Sequence, residues 1–125
     1  LRTSRGLGDV YKRQDFIMAI LHWKLQRLSA ILLVPAIIYM VLYLLNISQF
    51  TYYQIVSDIT SFWGLTFIIF VSPILFLHSS LGIETIMEDY IHDDVMQRFF
   101  INFSKVFHII LFAITLVSLI IIKGS

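Results

Sequence analysis

Three long apolar runs divide the chain. Leu28 to Ile47 gives twenty residues without a charge, Phe62 to Ile83 gives twenty-two in which His78 alone titrates, and Val106 to Ile122 gives seventeen with only His108. At 1.5 Å per residue, about twenty helical residues cross a hydrocarbon core of roughly 30 Å. The pattern predicts transmembrane helices at about 28–47, 62–83 and 106–122. Strands would need alternating polarity in a closed barrel, and these runs are apolar on every face. Polar stretches separate them. Ahead of the first run, Asp15 to Gln26 interleaves apolar residues with His22, Lys24 and Gln26. It reads as an interfacial segment, with Trp23 suited to the headgroup boundary. Asp93 to Lys105, with the Phe99-Phe100 pair, reads as a second segment lying along the interface.

Composition agrees with a membrane protein. Of 125 residues 58% are hydrophobic, and the mean hydropathy of +0.86 is far above the soluble range. With no cysteine, the chain alone forms no disulfide, thiolate metal site or iron–sulfur cluster. Residues 1–14, LRTSRGLGDVYKRQ, look foreign to the rest. Asp9 to Gln14 can be encoded by GAT GTG TAT AAG AGA CAG, which resembles the mosaic end of a transposon-based sequencing adapter; the other reading is a disordered basic tail. The segment lacks the apolar stretch of a signal peptide. The expected membrane domain is therefore 15–125. Without residues 1–14 the body carries five Lys and Arg against seven Asp and Glu, a net charge of −2, so the formal +1 of the whole chain is no nucleic-acid signal.

Orientation follows from the few basic residues. Lys24 and Arg27 precede the first span, Arg98 and Lys105 lie in the second connection, and the first connection, Ser48 to Ser61, has none. The positive-inside tendency puts the N-terminus and the second connection in the cytoplasm, against a mild dissent from Lys123.

The candidate chemistry sits between His78 and His92, HSSLGIETIMEDYIH. Eleven residues separate His78 from Asp89, about three helical turns, so the two share a helix face roughly 16 Å apart along the axis. An ionisable group within a span invites a functional reading, although an interhelical hydrogen bond explains a lone histidine equally well. Pro73, five residues before His78, is expected to break the helix locally, and Pro35 to kink the first span. Ser79, Ser80 and Gly82 permit close approach of a helix or a flat ligand. Glu84, Glu88, Asp89, His92, Asp93 and Asp94 read as a solvated acidic helix end. No HxxxH or HExxH spacing supports a metal site there. Tyr90 suits a membrane boundary, His108 a structural hydrogen bond, and Arg27 either a topology-setting charge or a clamp on a carboxylate.

Taken jointly, Gln26-Arg27-Leu28-Ser29-Ala30, then His78, Gly82, Glu88-Asp89-Tyr90 and His92 resemble the D-type hydrophobic membrane anchor of succinate dehydrogenase, the cytochrome b556-type small anchor, in its alphaproteobacterial form. The resemblance spans residues 16 to 123. The sister anchor of that complex, the C-type, is also a three-helix protein, but its His-Arg-x-(Ser/Thr)-Gly signature is missing. The resemblance implies an all-α membrane protein that is half of a haem-binding anchor heterodimer. It implies His78 as one axial ligand of the iron of a haem b shared with the C-type sister anchor, and Arg27 near the haem propionates and the quinone. Tyr90 would bond a ubiquinone carbonyl, and Asp89 would set the local charge network. The implied partners are the C-type sister anchor, the iron–sulfur subunit and the flavoprotein subunit, in a bacterial inner membrane; no nucleic acid is expected, and succinate oxidation is not expected of this chain alone. The alternatives are a fumarate reductase anchor and a non-enzymatic membrane protein with His78 and Asp89 as a proton-relay pair.

Overall fold

The structure is a computed structural model; it describes the backbone of residues 2–125 and the side chains of residues 13, 14 and 16–125. Helix α1 (Arg2–Leu45) is followed by a single 3-10 turn (Ile47–Gln49), α2 (Tyr52–Thr60), α3 (Phe62–Tyr90) and α4 (Asp94–Gly124). Phe16–Leu45, Phe62–Tyr90 and Asp94–Gly124 are each long and apolar enough to cross a membrane. The chain is an all-α, multi-pass membrane protein. Leu1 lies outside the described residues, and of the segment 1–14 the structure describes chiefly backbone, a helical extension of α1.

Helix α3 is central. It packs against α1 on one side and α4 on the other, while α1 and α4 do not approach one another, so the described spans form an open layer. On α1 the face turned to α3 is Ser29, Leu33 and Ala36, all buried, with His22, Gln26 and Tyr43 half-buried in the same register. These residues recur at three- and four-residue steps, the seam of closely packed helices. Ile101, His108 and Leu119 form the corresponding buried line on α4. Serine and alanine at such a seam let backbones approach. In lipid that matters more than apolar area, because the tails outside are as apolar as the core.

The helices overrun the apolar runs, and their caps show why. Asp15 to Gln26 is not a separate interfacial piece but part of α1, and Asp93 to Lys105 is not a surface link but the start of α4. Asp93 caps α4 by accepting from the Val95 N–H at 3.1 Å, so the helix begins at Asp94, well ahead of the apolar run that opens at Val106. Ile91 closes α3 with its N–H on the Met87 carbonyl at 2.9 Å, leaving a turn of only Ile91 to Asp93. Pro35 and Pro73 lie within helices that continue through them, so the expected break above His78 is at most a local loss of one backbone donor.

At the other end, α2 has no counterpart in the hydropathy pattern. Thr51 and Gln54 form a capping box, with Gln54 N–H to Thr51 Oγ1 at 3.2 Å and Thr51 N–H to Gln54 Oε1 at 2.9 Å. Tyr43 Oη donates to Asp58 Oδ2 at 3.0 Å and ties α2 to α1. The α2–α3 corner requires glycine: a Cβ at Gly64 would collide with the Asp58 carbonyl group. Gly64→Ala is expected to cost roughly 1–3 kcal/mol through forced separation of the corner, measurable as a lower midpoint of unfolding in mixed detergent.

Candidate functional site

His78 lies in the interior of α3, half-buried, with its imidazole turned to α1. Its Nδ1 is 3.0 Å from Ser29 Oγ. The serine hydroxyl has a single proton, and it donates that proton to the Gln26 carbonyl at 2.9 Å. With that proton on the Gln26 carbonyl, the hydroxyl oxygen is free to accept from His78, an arrangement that places the imidazole proton on Nδ1 and leaves the Nε2 lone pair available. A neutral imidazole with its second nitrogen pinned by a hydrogen bond is the form in which histidine binds metals.

The next turn of the same helix face is open. An added Cβ at Gly82, four residues after His78, meets nothing within 4 Å. The close helix approach that a glycine here permits is not used within this chain, because no helix takes that space. What it leaves is open space one turn along from His78.

His108 differs from His78 in that both of its nitrogens are engaged. The ring is buried, its Nδ1 donates to the Ser104 carbonyl at 2.7 Å, and its Nε2 accepts from Ser79 Oγ at 2.9 Å. It is a structural tie between α3 and α4, as the sequence suggests, with no lone pair to spare. Each interhelical bond of this kind contributes about 1 kcal/mol. Their greater effect is to fix the rotation of α3, and with it the direction of His78.

Asp89 and Tyr90 end α3, and both are exposed, Tyr90 by 80%. Arg27 is exposed on α1, two residues from Ser29 and so on the opposite side of that helix, with its guanidinium 5.3 Å over the Trp23 ring. The structure thus brings His78 to Ser29 and leaves Arg27, Asp89 and Tyr90 on outward surfaces. Glu84 departs from the solvated acidic end predicted for this stretch: its side chain is only 19% exposed, between His22 and Lys105. The other acids there, Glu88, Asp89, Asp93 and Asp94, are exposed. Among the described residues no three His, Cys, Asp or Glu side chains converge on a common point. A groove of about 810 Å³ between Tyr39, Tyr43, Asp58, Gly64 and Phe67 lies at the far end, away from His78.

Residues 5–122 match the family described as succinate dehydrogenase/fumarate reductase transmembrane subunit. The chain belongs to that family. It is a membrane subunit of a succinate dehydrogenase/fumarate reductase complex, and catalytic subunits are its partners. No curated protein and no solved structure matches the chain. For an anchor of this family, which generally binds haem and quinone, Ser29 belongs to the Gln26–Ala30 motif but receives no role from the sequence. Its position two residues after Arg27 is visible in the sequence, but its pairing with a histidine forty-nine residues away needs the packing of α1 on α3.

Proposed function

We propose that the chain is the D-type anchor of a bacterial succinate:ubiquinone oxidoreductase, giving His78 as one axial ligand of a haem b and Tyr90 and Asp89 to the ubiquinone-reduction site. The observation that carries this reading is the placement of His78: Nδ1 engaged by Ser29 Oγ at 3.0 Å, Nε2 without a partner among the described residues, and a glycine with open space around it on the following turn. These residues fit a haem at the edge of the chain. Because both His108 nitrogens are bonded, the second axial ligand is assigned to the C-type sister anchor. When bound, the haem would supply one-electron redox chemistry.

Each residue then has a defined task. Ser29 holds the rotation of His78 through its contact with Nδ1. Tyr90, whose phenol is turned outward, donates a hydrogen bond to a quinone carbonyl and so favours the charge that develops there on reduction. Asp89, the preceding residue, helps set the charge network around the quinone and serves proton delivery. Arg27 offers a planar cation for propionate or quinone oxygens from the α1 side. The iron–sulfur and flavoprotein subunits oxidise succinate and bring the electrons. Basic residues Lys24, Arg27, Arg98 and Lys105 assign the His92 end and the N-terminus to the cytoplasmic side of the inner membrane. The working anchor is 15–125, with 1–14 foreign to it.

The test separates quinone chemistry from succinate oxidation. Tyr90→Phe in the assembled complex is expected to lower ubiquinone reduction about 10²-fold, the scale of one lost donor to a developing oxyanion, with succinate oxidation by an artificial acceptor preserved. Equal loss of both activities would remove the quinone role from Tyr90.

A further inference from the structure

Glu84 is the point at which all three spanning helices meet in charge. Its Oε2 is 3.8 Å from His22 Nε2 on α1, and its Oε1 is 3.9 Å from Lys105 Nζ on α4. Helices α1 and α4 do not otherwise approach one another. Six residues beyond His78 on α3, the cluster stands roughly 9 Å nearer the Tyr90 end, where the apolar runs give way to polar sequence. It lies between the haem layer assigned above and cytoplasmic water.

Neither contact is closed to a hydrogen bond. A charge-assisted bond between such groups closes to about 2.7–2.9 Å, whereas both separations here exceed hydrogen-bond reach. His22 Nε2 is buried and has no hydrogen-bond partner. A buried imidazole nitrogen aimed at a carboxylate, each lacking a hydrogen bond to the other, is one proton and a small side-chain movement away from being satisfied. Lys105 on the other side of the carboxylate is half-exposed, at 50%.

We propose that Glu84 and His22 are a proton-loading pair for the quinone site, with Lys105 at its mouth. The proposal rests on the quinone reading above. Conversion of a quinone to a quinol takes two electrons, supplied by succinate through the catalytic subunits, and two protons. Glu84 passes them on one at a time: its carboxyl O–H breaks as a quinol O–H forms, relayed through water over the distance to Tyr90, and the carboxylate is reprotonated from the cytoplasm before the second transfer. His22 holds the incoming proton against the carboxylate through its buried, unbonded Nε2. The groups facing Glu84 are His22 from α1 and Lys105 from α4, with Glu88 one turn along α3; α2 is joined to the opposite end of α3 and brings none.

Two measurements test it in the full complex in native membranes. Dicyclohexylcarbodiimide modifies protonated carboxyl groups in apolar surroundings, and peptide mass spectrometry reads the site. Glu84 is expected to be labelled well above Glu88 and Asp89, with labelling that falls as pH rises and changes its pH dependence in His22→Gln. In turnover, Glu84→Gln is expected to lower ubiquinone reduction about 10²-fold, the lower range for a lost general acid, and to alter its pH profile, while Glu84→Asp restores most of the rate. Succinate oxidation by an artificial acceptor and haem content stay as they were. Wild-type quinone reduction and pH profile in Glu84→Gln overturn the proposal. So does a Glu84 that resists the reagent while another carboxyl reacts, and so does failed assembly of both Glu84→Gln and Glu84→Asp, which would make the cluster a clasp. Labelling is read without haem, quinone or turnover, so it fails separately from the roles of His78 and Tyr90: full quinone reduction in Tyr90→Phe with loss in Glu84→Gln would uphold the pair and dismiss the phenol.

Discussion

Replacing His78 by alanine is expected to abolish the haem of the assembled complex and leave the anchor inserted. The side chain makes one hydrogen bond to its own protein, Nδ1 to Ser29 Oγ, worth about 1 kcal/mol between membrane helices. Its removal does not strand the serine, whose proton remains on the Gln26 carbonyl at 2.9 Å. Alanine is also the best helix former, so α3 persists. What is lost is the only imidazole nitrogen at this depth that the described residues leave with a lone pair, since His108 has both of its own engaged. A reduced-minus-oxidised spectrum of the purified complex is expected to lose its bis-histidine b-type bands, with the catalytic subunits still co-purifying. The companion Ser29→Ala is expected to keep the haem but hold it roughly 10-fold or more weakly, the usual effect of deleting the hydrogen bond behind a ligating histidine. Unchanged haem in His78→Ala would transfer the ligand role to another chain and leave Ser29 a packing residue.

The spans are legible in the sequence because a bilayer imposes a length and a polarity on any helix that crosses it, and Leu28 to Ile47, Phe62 to Ile83 and Val106 to Ile122 satisfy both. Their ends are not. Hydropathy reports where a helix leaves the hydrocarbon, whereas Asp93 capping Val95 and Ile91 closing on Met87 determine where it stops being a helix. Helix α2 is hidden for the same reason: its signal is the Thr51–Gln54 capping box, which no hydropathy window registers. Within the site, the eleven-residue interval from His78 to Asp89 can be read from sequence because it lies within one helix. Contacts between helices cannot. Ser29 with His78, Ser79 with His108, and Glu84 with His22 and Lys105 depend on the rotation of each helix about its axis. That rotation follows from the small residues of the seam, which composition does not order. Glu84 is the instructive case: placed in a run of acids that are mostly solvated, it differs from them only by facing the helices.

Gly82 gives the second large effect. Glycine inside a helix costs about 1 kcal/mol relative to alanine, and nothing within 4 Å of an added Cβ obliges the chain to keep it. In the isolated anchor Gly82→Ala should therefore be stabilising, and even Gly82→Phe should insert and fold. The complex imposes a different demand. Gly82 follows His78 by one turn on the same face, so a bulky ring there occupies the space that a porphyrin bound through His78 Nε2 needs. Gly82→Phe is expected to deplete haem by at least tenfold, read as the haem-to-protein ratio of the purified complex, although the ligand itself is intact; Gly82→Ala, adding one methyl to an open notch, is expected to reduce it little. This ordering follows from size alone and separates a blocked cavity from a lost ligand, because the residual haem of Gly82→Phe should retain a bis-histidine spectrum where His78→Ala retains none. Full haem content in Gly82→Phe would mean that the notch faces lipid, and the haem would then have to approach His78 from the preceding turn.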